Sequence, residues 1–410
     1  MRKIYSGRKA DEGDFIFKID TNNTKAGSSN NDQFFIPIAT GLSCSGWTMA
    51  FSVDWGDGST SDVNSTNYAT ECLHTYAAAG IYTINCRGTV AGWAFQGPIL
   101  YDDEFKMLDI EQWGCFKMDG GRSGGCAGLQ FWNCENMTQI SASDIPNNLR
   151  YPTGRITSNG YRGPLAGCRD MVRVNNINNW KTSNNISTGG NRSSFVMSFL
   201  FENCVKLQFS DMGTGMIDLS GWDTRGCYRF DRFMANCKAF DGKMFSNLGD
   251  NAAYLPLPSM RMESMFRYCD NFTGSNSVTE MQAWDTSTCG RMDRMFENAL
   301  VFNIDIGMWD TSSVTNFQAM FSNCPAFDQD LSGWQVSQAT NLASFMSGST
   351  NLSTANYDAL LIAWDAQGAM SYSGTVDFGN SQYSCAPSAA ATARASLVTK
   401  WGAILDGGCV

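Results

Sequence analysis

A four-residue apolar stripe closed by a small residue recurs along this chain at short intervals. Its cleanest copy is Phe317, Met320, Phe321 and Cys324, spaced i, i+3, i+4 and i+7. The same offsets select Met292, Met295, Phe296, Ala299; Met262, Met265, Phe266, Cys269; Phe230, Phe233, Met234, Cys237; and Met197, Leu200, Phe201, Cys204. The closing slot falls at Cys134, Cys168, Cys204, Cys237, Cys269, Ala299, Cys324 and Ser349, at intervals of 34, 36, 33, 32, 30, 25 and 25 residues. A unit of this length cannot bury its apolar face alone, so neighbouring copies must stack to share one core. The offsets predict a two-turn helix with all four side chains on one face.

The rest of each copy follows a set order, although the copies after Cys134 and Cys237 lack the Trp. Three residues after the slot stands Leu207, Phe240, Phe272, Phe302, Phe327 or Leu352. An Asp-apolar-x-x-Trp unit follows in Asp109-Ile110…Trp113, Asp218-Leu219…Trp222, Asp305-Ile306…Trp309 and Asp330-Leu331…Trp334, with variants at Ile177…Trp180 and Met281…Trp284. A turn such as Asp310-Thr311-Ser312-Ser313 then offers hydroxyls to cap the next helix. One strand, one turn and one short helix per copy predict a β/α solenoid of about eight repeats over residues 101–352, capped by residues 353–410.

The Met, Phe and Trp stripe reads as core, not as a ligand box, because it repeats in every copy. Cys227 and Cys289 lie five residues after a Trp, where Val314 and Ala339 stand in other copies. A slot that accepts such residues is small and buried, so most of the 15 cysteines are expected as free thiols acting as small hydrophobes. Cys44, Cys72, Cys86, Cys115, Cys126, Cys385 and Cys409 lie outside the slots, and a Cys385–Cys409 bridge stays open. Many unpaired cysteines fit assembly in a reducing compartment. The exposed positions of the copies show no aromatic or charged cluster.

The run MFSNCPAFDQDLSGWQVSQATNLASFM, with WDTSSVTNFQAMFSNC before it, resembles the BspA-type leucine-rich-repeat surface proteins, over roughly residues 105–410. The ending, NLSTANYDALLIAWDAQ then ATARASLVTKWGAILDGG, resembles the usual ending of that family. The resemblance implies that the solenoid is leucine-rich-repeat-like and that the protein acts at a surface.

Residues 13–100 read differently. FIFKI, FFIPI, TMAFSVDW, YTINCRGTV and GWAF are β-rich, with Gly, Asn and Ser between them, and predict a small antiparallel sandwich. Val53-Asp54-Trp55-Gly56-Asp57-Gly58-Ser59 and His74-Thr75-Tyr76…Gly80-Ile81-Tyr82-Thr83 together resemble the polycystic-kidney-disease (PKD) domain, an immunoglobulin-like extracellular module. The expected architecture is therefore an N-terminal arm (1–12), a PKD-like immunoglobulin-fold β-sandwich (13–100), the leucine-rich-repeat-like β/α solenoid (101–352) and the cap (353–410).

Chemistry is sparse. His74 is the only histidine, which argues against His-rich metal centres and against Ser-His-Asp or Cys-His catalysis. Asp54 and Asp57 offer two carboxylates, too few for the 6–8 oxygens calcium takes. Glycoside hydrolysis needs only two acids. The candidates for it, Asp218, Asp305 and Asp330 with Asp223, Asp285 and Asp310, recur with the copies, as turn residues do. No catalytic, cofactor-binding or metal residue is expected. A net charge of −10 argues against nucleic acid, and Arg2, Lys3, Arg8 and Lys9 form the one basic cluster. No segment has the ~18 consecutive apolar residues of a membrane helix.

These features leave three readings. The first is a phage virion surface component, a head decoration or fibre protein that docks to capsid or tail proteins and adheres to a host glycan or protein. It follows from an N-terminus without an export signal. The second is a bacterial cell-surface adhesin of the BspA type. The third is a carbohydrate-active enzyme with a carboxylate pair. Homo-oligomerisation is left open.

Overall fold

The computed structural model describes residues 13–38, 49–64, 66–90, 93, 95, 101–116, 131–146, 163–180, 195–208, 215–249, 259–349, 352–369 and 371–410. The arm with Arg2, Lys3, Arg8 and Lys9, and the cysteines Cys44 and Cys126, lie outside them. Two compact units divide the chain: Met1–Ser183 with Leu200–Ile217, and Asn184–Phe199 with Asp218–Val410.

The first unit holds β1 (Phe15–Asp20), β2 (Gln33–Phe35), β3 (Ala50–Asp54), β4 (Thr60–Asn64), the single turn α1 (Tyr68–Glu71), β5 (Leu73–Thr75), β6 (Ile81–Thr89), β7 (Met107–Gln112), β8 (Gln139–Ile140) and β9 (Arg173–Val174). Strand β1 alternates as a half-buried strand must, with Phe15, Phe17 and Ile19 inward. Phe15 and Phe17 pack edge-on against Trp93, at 5.4 and 5.2 Å between ring centres. β1 pairs antiparallel with β6 on one side and β7 on the other. From β7 onward the pairing turns parallel, giving one seven-stranded sheet in the order β4-β3-β6-β1-β7-β8-β9, with β2 and β5 as a separate ribbon. The expected two-sheet immunoglobulin-like sandwich is therefore corrected. β7, beyond residue 100, completes the sheet of β1 and carries it into short parallel strands, and among the described residues of this unit the only other sheet is the two-stranded pair β2–β5.

A buried ionic cluster ties this unit together. Lys106 and Asp103 are fully buried, with Nζ 3.2 Å from Oδ1. The Lys106 ammonium also donates to the Ser29 carbonyl (3.2 Å), Ser29 Oγ (2.7 Å), the Asn30 carbonyl (2.9 Å) and the Gln33 carbonyl (2.8 Å). Asp103 accepts from Ser29 N–H (2.9 Å), Ser29 Oγ (2.7 Å) and Phe35 N–H (2.8 Å). A buried charge pair persists only when its remaining donors and acceptors are met in this way. Next to it Glu104 pairs with Lys25, and burial pushes the Glu104 carboxyl above its usual range against that pairing.

The second unit begins with four parallel strands, β10 (Phe195–Val196), β11 (Cys227–Arg229), β12 (Met260–Arg261) and β13 (Cys289–Arg291), each two or three residues long. Single bridges Arg291↔Asn316 and Asn316↔Asn341 continue the same pairing. Between β12 and β13 lies the short helix α2 (Val278–Gln282). The stripes after these strands are not helices. In the row after β13, N–H groups of Met292, Arg294, Phe296 and Asn298 donate to carbonyls of Asn316, Gln318, Met320 and Ser322 in the next row. The N–H groups of Phe317, Ala319, Phe321 and Asn323 do the same toward Asn341, Ala343, Phe345 and Ser347. Intervening N–H groups close tight turns, as in Met295 to Met292 and Ala299 to Phe296. An α-helix would aim every N–H at the carbonyl four residues back.

Left-handed residues make this double turn possible. Arg294 and Asn298 have φ of 56° and 63°, Ala319 and Asn323 53° and 55°, and Ser264 and Tyr268 56° and 59°. Alternate N–H groups then point along the stack, and the stripe residues still face inward, where Met292, Met295, Phe296 and Ala299 are fully buried. The leucine-rich-repeat-like β/α solenoid expected from the sequence is therefore corrected. Among the described residues the stripes form no helix, the short helix α2 lies outside them, and the short strands fall in separate sheets. The turn hydroxyls cap no helix either: Thr286 and Thr311 donate instead to the carbonyls of Asp310 and Gln335 in the next row.

Aromatic files run through the stack. Phe266, Phe296 and Phe321 stack at 5.8 and 5.7 Å, and Trp284, Trp309 and Trp334 at 5.7 and 6.5 Å. The indole N–H of Trp309 donates to the Met281 carbonyl (2.9 Å) and that of Trp334 to Ile306 (3.1 Å). Helix α3 (Thr354–Asp365) supplies the next rung, with Trp364 donating to the Leu331 carbonyl at 3.1 Å. It packs on α4 (Ala389–Trp401), beside the parallel pair β14 (Gly374–Asp377) and β15 (Gly402–Leu405). Ser353 and Ser388 cap the two helices through their hydroxyls. Cys385 and Cys409 are joined by a disulfide, and the other described cysteines are free and buried.

Candidate functional site

Three places hold the residues singled out in the sequence. The first is the turn between β3 and β4. Asp54 Oδ1 accepts the Gly56 N–H (3.0 Å), and Asp57 Oδ1 accepts the Ser59 N–H (2.9 Å) and hydroxyl (2.5 Å). Gly56 has φ of 81°, and a Cβ there would lie 2.4 Å from the Thr83 carbonyl, so the tight turn requires glycine. The two carboxylates thus face the turn's own donors, and among the described residues no group of three His, Cys, Asp or Glu could hold a metal ion.

The same turn brings Ser59, His74 and Asp57 together. His74 Nε2 lies 2.8 Å from Asp57 Oδ2 and 3.3 Å from Ser59 Oγ. A catalytic triad places serine and aspartate on opposite ring nitrogens, so that a proton passes through the imidazole. Here both meet one nitrogen, and the hydroxyl is bonded to the aspartate directly. The cluster is a knot: His74 stacks on Trp55 at 4.8 Å, and the Tyr76 hydroxyl donates to the Trp55 carbonyl at 3.2 Å. Partial burial alone would raise the Asp57 carboxyl, but hydrogen bonds from Ser59 and His74 outweigh it and hold the group at about 2.

The second place is the set of repeat aspartates. Asp218, Asp285, Asp305, Asp310 and Asp330 each accept the N–H two residues on, from Ser220, Ser287, Gly307, Ser312 and Ser332. Asp223 forms an ion pair with Arg225 at 2.8 Å. The five are Asx turns copied with the row. Asp109 differs: it is buried and binds Gln139 Nε2 (2.6 Å) and the Ser141 N–H (2.9 Å) and hydroxyl (2.8 Å) in the next row.

The third place escaped the reading of the exposed positions as free of a charged cluster. Arg229, Arg261 and Arg291 lie opposite one another on adjacent parallel strands. Each directly precedes the first stripe residue of its row, where the next rows have Asn316 and Asn341. Two residues on stand Asp231, Glu263 and Asp293. Arg229 Nε donates to Asp231 Oδ2 at 2.7 Å, and Arg291 grips Asp293 through two bonds of 2.9 and 3.0 Å. Burial raises the Asp231 carboxyl although Arg229, Arg261 and Arg291 oppose it. In the Arg261 row, the Arg267 guanidinium lies 4.6 Å from the Tyr268 ring centre and Nε 2.6 Å from Glu297 Oε2. Aligning the copies one position before the stripe would have exposed this column in the sequence.

Residues 259–360, which include the last four rows, match the family described as "Mycoplasma protein of unknown function, DUF285", a family found in BspA-like surface proteins. No curated protein and no solved structure matches the chain at a significant level.

Proposed function

We propose that this chain is a non-catalytic display protein, carried on the outside of a phage particle or a bacterial cell, where its rows present a surface to a host glycan or protein. The observation that supports this most is how the rows use their reactive groups. Aspartates are held in the same Asx turn from row to row, and the slot thiols are buried, with burial pushing Cys324 up to about 12. What differs between rows is the outward side chains, which is how a repeat surface acquires a ligand. The family match over 259–360 supports the surface setting.

The test is limited proteolysis of intact phage particles and intact host cells, with released peptides read by mass spectrometry. Peptides from the rows released before lysis are the expected result. The carrier that yields them separates a virion component, docked on capsid or tail proteins, from a BspA-type adhesin. Recovery only after cell lysis, in the soluble fraction, would overturn the proposal.

A further inference from the structure

We propose that the column Arg229–Arg261–Arg291 is a binding site for the carboxylate or sulfate groups of an anionic polysaccharide, with Arg261 as the receiving guanidinium. The inference rests on the display reading and gives it a ligand class.

The fold does not ask for arginine here. Asn316 and Asn341 occupy the same position in the following rows, with the same bridges and the same ladder. Parallel neighbours lie about 4.8 Å apart, and like charges set opposite each other are destabilising. Three stacked arginines carry a cost that Asp231, Glu263 and Asp293 offset in part, where the following rows have the neutral pairs Asn316 with Gln318 and Asn341 with Ala343.

The ion pairing is also uneven. Arg229 is paired with Asp231 and Arg291 with Asp293. By the same pattern Glu263 should pair with Arg261 of its own row, yet it lies 3.3 Å from Arg291. The Arg261 side chain is partly exposed, and among the described residues it makes no ion pair or side-chain hydrogen bond, its charge reaching Asp231 only at longer range. An unpaired guanidinium between two others presents a planar fork of donors that matches a carboxylate or sulfate, which accept through two oxygens.

The spacing and charge select the ligand. One row is close to the length of one sugar ring in an extended chain, so a polysaccharide running along the column can bring an anionic group near each guanidinium. The chain's net charge of −10 repels a dense polyanion such as nucleic acid and leaves a local site suited to a sparsely charged glycan.

The experiment uses the full chain at about 150 mM salt, with polygalacturonate, chondroitin sulfate and uncharged dextran as probes, by calorimetry. Wild-type protein is expected to bind one of the anionic chains and not dextran, with carboxylate or sulfate preference assigned by which. Arg261→Asn, which copies the residue of the later rows, is expected to weaken binding about tenfold or more. Asn316→Arg extends the column by one row and is expected to tighten it, which keeps the test independent of how Arg261→Asn folds. Absence of binding to either anionic probe, or affinity unchanged in both variants, would overturn the site. Surface exposure read by proteolysis does not depend on either variant, so loss of this inference and loss of the display reading are distinguishable.

Discussion

The antiparallel part of the first unit and the rows from Arg229 to Ser349 hold themselves together in opposite ways. In the first, a decisive contact occurs once. One ammonium, Lys106, gathers the carbonyls of Ser29, Asn30 and Gln33 around a buried aspartate. In the rows, each contact is copied: the same N–H to carbonyl ladder, the same indole to carbonyl bond, the same Asx turn. A single contact makes one residue indispensable, whereas copying makes residues equivalent. The difference can be tested residue by residue.

The largest effect belongs to the singular contact. Lys106→Met keeps much of the side-chain volume but leaves Asp103 as an uncompensated buried charge and removes one donor from each of three carbonyls. Breaking a buried pair in this way costs about 3–5 kcal/mol. Hydrogen exchange followed by mass spectrometry should show amides of 13–38 and 101–116 losing protection. Unchanged protection there would mean that the cluster is ornamental and the contrast false.

The copied contacts should show equivalence. Trp284 and Trp309 are buried in the same file and make the same kind of indole bond, to the carbonyls of Phe245 and Met281 at 2.7 and 2.9 Å. Each Trp→Ala change should cost about 3–5 kcal/mol, the range for deleting a large buried aromatic side chain. If the rows are truly equivalent, the two costs agree within about 1 kcal/mol. Urea unfolding of both variants measures this, and a large disparity would show that one row carries the stack.

Burial was legible in the sequence and backbone conformation was not, and the reason lies in particular residues. The offsets of Met292, Met295, Phe296 and Ala299 put four side chains on one side of a helix, and equally of the double turn that forms. Apolar periodicity reports which side chains face inward, not where the N–H groups point. The missing signal was the residue before the slot: Asn203, Asn236, Asn298 and Asn323, all at positive φ, where asparagine is among the few side chains tolerated. At Asp54, Asp57 and His74 the sequence showed the residues but not their partners: each carboxylate accepts from the turn's own N–H groups, and His74 meets Asp57 and Ser59 through one ring nitrogen. The arginine column was hidden because strand-facing positions were read within a copy rather than down the copies.

The smallest effect is the sharpest test of copying. In four rows the slot side chain donates to the carbonyl three residues before the slot of the preceding row: Cys168 to Phe131 (3.2 Å), Cys204 to Leu165 (3.1 Å), Cys269 to Met234 (3.0 Å) and Cys324 to Phe296 (2.7 Å). Ser349 donates to Phe321 in the same way, at 2.5 Å. That shared bond explains why cysteine and serine alternate there, which the reading of the slot as merely small did not. Ala299 alone among these rows lacks the donor. By the rule of the stack, its missing bond would reach the Phe266 carbonyl. Ala299→Cys should therefore stabilise the chain by about 0.5–1.5 kcal/mol, and Cys324→Ala should destabilise it by a similar amount. Cys324→Ser should fall between wild type and Cys324→Ala, since Ser349 shows that a hydroxyl fits the slot. Urea midpoints at constant slope measure all three. A loss of stability in Ala299→Cys would show that the 299 row is packed differently from its neighbours, and that equivalence holds for the ladder but not for the core.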